Sequence, residues 1–182
     1  MGEVNVPCSV FAAGIAAAPQ PRAEEPLVSV LTDRDPGPAA SHGLEKILDA
    51  LRTKGITYEK VASPAEARGQ KLLLAGLAGG GGPAAQLLAE EKQPAAQGPE
   101  GLAIRQTACN GKPACLLVGS DDRGLMYAEL DVAERIGWST DAALPFSEVR
   151  PCTEKPDVSE RALSLYTMNR AYWVSRFYDE GY

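Results

Sequence analysis

The chain has 182 residues, 45% of them hydrophobic, a formal net charge of -6 and a pI near 4.9. That is enough apolar material for one compact domain plus tails. The acidic balance argues against a nucleic-acid partner, because phosphate recognition needs clustered Lys and Arg; no run reaches the ~18 apolar residues of a membrane span; and a single histidine, His42, rules out His-rich metal centres.

Residues 1–25 read apart from the rest. Residues 10–18 (VFAAGIAAA) form a short apolar run ending in small side chains, followed by a polar, proline-bearing stretch over 19–26. That order resembles the h-region and A-x-A-like cleavage site of a signal peptide and implies a secreted or periplasmic protein. Residues 1–7 lack Lys and Arg, so a disordered N-terminus stays open beside the signal peptide.

The next stretch, 26–137, has the pattern of an α/β domain. Residues 27–31 (LVSVL) suit a buried strand. Residues 33–38 (DRDPGP) are turn chemistry, Ser41 is a candidate N-cap, and Leu44, Ile47, Leu48 and Leu51 fall on one helical stripe. Gly55 stands where a left-handed C-cap is wanted. Residues 56–61 (ITYEKV) and 71–74 (KLLL) read as strands. Four glycines, Gly79 to Gly82, precede Pro83 and a short helix through Leu87, Leu88 and Lys92.

Residues 93–101 read as loop. Residues 102–107 (LAIRQT) and 114–118 (ACLLV) straddle an Asn110-Gly111 pair, a strong hairpin signal. Cys109 and Cys115 flank that turn; a bridge in an oxidising compartment and two unpaired thiols are equally open. Residues 119–137 (GSDDRGLMYAELDVAERIG) make a helix capped by Asp121 or Asp122, with Leu125, Met126, Ala133 and Ile136 expected against the sheet and Arg123 expected to pair with nearby carboxylates or carbonyls rather than with substrate. Residues 138–160 have no sustained period and read as a linker. From Arg161 a new strand begins, in an aromatic-rich stretch that runs to 182.

The order β-α-β-β-α-β-β-α with an internal hairpin predicts an α+β fold: a mixed sheet with helices packed on one face, the other face covered or polar. The chemistry-bearing signals are thin. The glycine run lacks the Gly-Lys-Ser/Thr ending of a phosphate cradle and matches a dinucleotide fingerprint only in part. The paired carboxylates Glu24-Glu25, Glu90-Glu91, Asp121-Asp122 and Asp179-Glu180 are sequence neighbours and do not straddle a substrate. No G-x-S-x-G elbow is present, and His42 falls at a helix start. No catalytic residue, metal or cofactor is therefore expected in this chain.

The residues Asp121-Asp122-Arg123-Gly124-Leu125-Met126-Tyr127, set between a strand and a helix, resemble the motif that closes the N-terminal domain of family 20 β-N-acetylhexosaminidases and family 67 α-glucuronidases. The resemblance extends over the preceding elements, and in those families the domain precedes a (β/α)8 barrel. Residues 161–170 (RALSLYTMNR) resemble the first barrel strand, whose family 20 form is R-G-x-x-L-D-x-x-R; Tyr166 stands where that family has Asp, leaving a glucuronidase-like or unassigned relative open. The resemblance implies a non-catalytic accessory domain over 26–137 and a truncated barrel start over 161–182. Its partners would be its own catalytic domain and, through that domain, carbohydrate. It implies sugar contact for Arg161; position at the C-terminal end of a barrel strand favours Thr167, Asn169 and Arg170. Two other classes remain: a stand-alone α/β binding or interaction domain, and, on the glycine run alone, a nucleotide-binding enzyme.

Overall fold

The computed structural model describes residues 25–92, 94, 97–158, 160 and 161. Their element order is β1 (Val28–Thr32), α1 (Pro38–Thr53), β2 (Tyr58–Lys60), β3 (Lys71–Leu77), α2 (Pro83–Glu90), β4 (Leu102–Cys109), β5 (Lys112–Gly119), α3 (Asp122–Trp138) and β6 (Cys152–Glu154). The six strands form one mixed sheet in the order β2-β1-β3-β5-β4-β6. The first four in that order run parallel, β4 pairs antiparallel with β5, and β6 pairs antiparallel with β4. This is the α+β class expected from the sequence.

Side-chain alternation sorts the core into two layers. Val28, Val30, Leu73, Ala75, Cys115, Leu117 and Ile104 point to the face covered by α1 and α3. Leu31, Leu72, Leu74, Leu116 and Val118 point to the other face and meet Ala84, Leu87 and Leu88 of α2. The placement of helices on a single face therefore holds for α1 and α3, and α2 lies opposite. The reason is in β3 and β5, which are apolar at both parities and must be covered twice, as buried parallel strands are.

Local signals set most boundaries. Helix α1 starts at Pro38 after Gly37, whose φ of 99° few side chains adopt. Ser41, expected as the cap, sits one turn inside, where its hydroxyl donates to the Gly37 carbonyl at 2.8 Å. At the other end Gly55 (φ 67°) donates to the Arg52 carbonyl and Ile56 to the Leu51 carbonyl, both at 2.9 Å. That is a Schellman closure, completed by burial of Leu51 and Ile56. Asn110 (φ 51°) and Gly111 (φ 74°) form the two-residue hairpin turn.

The hairpin register answers the cysteine question. Cys109 lies opposite Lys112 and Cys115 opposite Gln106, so the two thiols project to opposite faces and both are free. Helix α3 buries Leu125, Ala128, Glu129, Val132 and Ile136. Met126 and Ala133, expected in that set, are only half-buried on its flanks. The stretch read as a linker packs on the domain as well: Ser139 and Val149 are buried and residues 152–154 form edge strand β6.

Candidate functional site

The motif between β5 and α3 is closely hydrogen-bonded to the loop before β4. Ser120 accepts from the Gly101 amide at 2.9 Å and donates to the Gly98 carbonyl at 2.6 Å. Asp121 is the N-cap of α3: Oδ1 accepts from the Gly124 amide at 2.8 Å, while Oδ2 accepts from the Glu100 amide at 2.8 Å. Arg123 reaches the Glu100 carboxylate at 3.3 Å, the structural pairing anticipated for it. Gly119 and Gly124 are required by close approach. A Cβ on the first would overlap the backbone of Leu125, and one on the second the carbonyl of Gly101. The motif thus ties the start of α3 to the loop carrying Glu100.

Arg161 returns to the same loop. Its guanidinium pairs with Glu100 and lies over the ring of Tyr127, 5.9 Å from the centroid. Glu100, which has a positive φ of 57°, is therefore gripped from three sides: its amide by Asp121 and its carboxylate by Arg123 and Arg161. Between α3 and the β4–β6 edge runs an open groove of about 550 Å³. Leu102, Ile104 and Cys152 contribute its apolar side, and Asp131, Arg135, Arg150, Glu154, Lys155 and Arg161 its charged side. Arg135 is held by Asp131 at 2.6 Å and stacks on Trp138, 5.6 Å from the ring centroid. Thr167, Asn169 and Arg170, the other expected sugar contacts, lie outside the described residues.

At the carboxyl ends of β1 and β3 the chain diverges, β1 into α1 on one face and β3 into α2 on the other. Such a divergence is where open α/β sheets place ligands. Here the place is filled by Asp33. Its Oδ2 accepts from the Leu77 amide at 2.8 Å, and its carboxylate fills the space that Cβ atoms on Gly76, Gly80 and Gly82 would take. The glycine run is thus a receptacle for the protein's own carboxylate at the start of α2. An acidic side chain at that helix end takes the position a phosphate would need, which counts against the nucleotide-binding class.

Three further acids have structural surroundings. Burial alone would raise the Glu59 carboxyl. The Ser29 hydroxyl (2.7 Å), the Arg68 amide (2.6 Å) and guanidinium and the Gly69 amide (3.2 Å) outweigh that and hold it down at about 2. Glu129, 1% exposed, is pushed up to about 8 by burial. Glu91 accepts from the Thr107 hydroxyl. His42 is exposed on α1, and the described residues contain no group of three His, Cys, Asp or Glu side chains able to hold a metal. The sequence singled out Asp121, Arg123 and Arg161 but missed Glu100, their common partner. Glu100 sits in a featureless loop, and only its three-dimensional neighbours reveal it.

No protein-family pattern and no curated protein matches the sequence. Among solved structures the fold is similar to a GH138 enzyme targeting pectin rhamnogalacturonan II. The match has 15% identity and a TM-score of 0.48, over 72% of this chain and 16% of that one. It is also similar to CpGH84D, at 11% identity and a TM-score of 0.41, over 57% of this chain and 16% of that one. The chain therefore spans about a sixth of the length of either, and both of these weak structural neighbours are glycoside hydrolases by name.

Proposed function

We propose that this chain is the non-catalytic N-terminal part of an exported, carbohydrate-degrading glycoside hydrolase, α-glucuronidase-like or β-N-acetylhexosaminidase-like. In that role the domain fixes where the catalytic barrel begins. One observation carries the reading. The motif that prompted the resemblance converges, through Asp121, Arg123 and Tyr127, on Glu100 and Arg161, the residue with which the barrel strand would start. A motif that served only to cap α3 would need Asp121 and Gly124 alone.

The reading makes separate demands on the chain and on the whole enzyme. This chain alone turns over no aryl-glycoside of glucuronic acid or N-acetylglucosamine, and the protein extended through its coding region does. Turnover by the short chain that disappears when one of its own Asp or Glu residues is replaced would overturn the assignment. A coding region without a barrel bearing two carboxylates would favour the stand-alone interaction domain instead. In the extended enzyme, Arg161→Ala, Asn169→Ala and Arg170→Ala are compared by kcat/KM. A sugar contact made by a charged group is worth about 1.5–3 kcal/mol in transition-state binding. If Arg161 only anchors the barrel, its loss lowers the melting temperature of the short chain as well. Arg170, if it meets sugar, leaves that temperature unchanged.

A further inference from the structure

We propose that the groove between α3 and the β4–β6 edge binds a short oligosaccharide of uronic acids, so that this domain carries a carbohydrate subsite of its own. The groove is built as a trough. Register pairs Leu102 with Glu154 and Ile104 with Cys152, which sets Leu102, Ile104 and Cys152 on the α3 side of the sheet as an apolar floor. Tyr127, Asp131 and Arg135, four residues apart on α3, form a wall along about 12 Å of helix. A volume of about 550 Å³ is that of a cleft for a drug-sized molecule, and a disaccharide or trisaccharide has that size.

A sugar ring presents apolar C–H faces and an edge of hydroxyls. The floor suits the faces. For the hydroxyls the groove offers planar groups already fixed in place: Asp131 holds Arg135 at 2.6 Å, and Glu100 holds Arg161. An ion pair leaves the guanidinium with spare N–H donors and the carboxylate with spare lone pairs, and a pair fixed in advance loses little freedom on binding. The acidic character of the ligand follows from the remaining charges. Arg150 and Lys155 also line the groove, are exposed, and have no carboxylate partner among the described residues. Glu154 offsets one of them at most, so the groove keeps a positive excess in a chain of net charge -6. That excess is complementary to a ligand carboxylate. The choice of a sugar acid over another carboxylate rests on the proposed function. Binding is nevertheless read on the short chain, with no barrel and no turnover, so either reading can fail alone.

Amide NMR spectra of the short chain are titrated with trigalacturonate, triglucuronate, neutral galactotriose and citrate. At least one of the two uronates should shift the amides of Leu102, Ile104, Tyr127 and Cys152 in a saturable way. It should also slow alkylation of the Cys152 thiol, which lines the groove, and leave Cys109, on the opposite sheet face, unchanged. Galactotriose and citrate should bind about tenfold or more weakly. Arg150→Ala and Lys155→Ala should each weaken uronate binding about tenfold or more, the worth of one charge-assisted hydrogen bond. Both side chains are exposed, so their loss should leave the fold intact, which the same spectra report. Lys46→Ala, on the exposed side of α1, makes the same charge change away from the groove and should leave binding as it is. A chain that ignores both uronates overturns the proposal. So does one that binds galactotriose or citrate as tightly as a uronate, or that loses as much affinity with Lys46 as with Arg150 and Lys155.

Discussion

The carboxylate of Glu129 packs directly on the bare Cα of Gly43: a Cβ there would lie 2.5 Å from Oε2 and 3.1 Å from the Cα of Met126. Helices α1 and α3 meet at this point. Gly43 is the notch that admits a long polar side chain, and Glu129 Oε2 has no hydrogen-bond partner among the described residues. Replacing Gly43 with Ala should destabilise the domain by roughly 1–3 kcal/mol through overpacking, visible as a lower urea midpoint. An unchanged midpoint would mean that the helices separate freely here.

The same carboxyl predicts a pH dependence. Burial raises its folded-state value to about 8, above the unfolded value of 4.5. Between those limits the unfolded chain releases a proton that the folded chain keeps, so stability is full below pH 4.5, falls as the pH rises and levels off above about 8. The loss should be on the order of 2–5 kcal/mol. Glu129→Gln keeps the shape and removes the titration. Denaturant curves at pH 5 and pH 8 should therefore converge for the variant and differ for the parent.

Glu59 acts in the opposite sense. Its carboxyl is held at about 2, below the usual 4.5, so its contribution is present above pH 4.5 and is lost as the pH falls toward 2. Glu59→Ala leaves the buried Ser29 hydroxyl and the Arg68 amide without their acceptor, while the Gly69 amide keeps Ser29 Oγ at 2.8 Å, and should cost about 1–3 kcal/mol at pH 7. The difference between variant and parent should shrink in acid. A difference that stays constant down to pH 2.5 would assign the cost to packing alone.

Two truncations on α3 separate core from flank. Ile136 is fully buried, and Ile136→Ala should destabilise by about 2–5 kcal/mol. Met126 is half-buried, so Met126→Ala should cost distinctly less. Equal effects on the melting temperature would contradict the orientation of the helix.

The cap offers a sharper comparison between two adjacent acids. Asp121→Ala removes both the Gly124 and the Glu100 amide acceptors and should cost about 1–2 kcal/mol. Asp122 makes no side-chain hydrogen bond among the described residues; beside its contact with Gly37 it contributes first-turn charge at the helix start, worth about 0.3–1 kcal/mol. Thermal melts of the two Ala variants at low and high salt should diverge. The Asp122 effect should fade with salt and the Asp121 effect persist.

The element order was legible because the local signals agreed with the tertiary ones. Leu44, Ile47, Leu48 and Leu51 give a helical period, Asn110-Gly111 gives the hairpin, and Gly55 gives the helix stop. What escaped was whatever depends on two distant segments. Strand β6 is three residues long between Pro151 and Pro156, too short for any period, and exists because Leu102–Ile104 offers it an edge. The far-face position of α2 follows from β3 and β5 being apolar at both parities, which a continuous run such as LLL does not advertise as two faces. In the candidate site, Asp121 and Arg123 announced themselves by their place before a helix. Glu100 and Asp33 are single acids in loops, meaningful only through the amides and glycines that close around them.

The grip on Glu100 also has an order in time. Among the described residues, the groups that hold Arg161 in place, from the Glu100 loop through Asp121 to Tyr127, are made before Arg161 during vectorial synthesis. The β4–β5 hairpin and the α3 cap are local and close early, whereas the parallel pairing of β1 with β3 bridges a longer loop. The groups that receive Arg161 are therefore all present in the chain by the time residue 161 leaves the ribosome, so its anchorage waits on no segment made later.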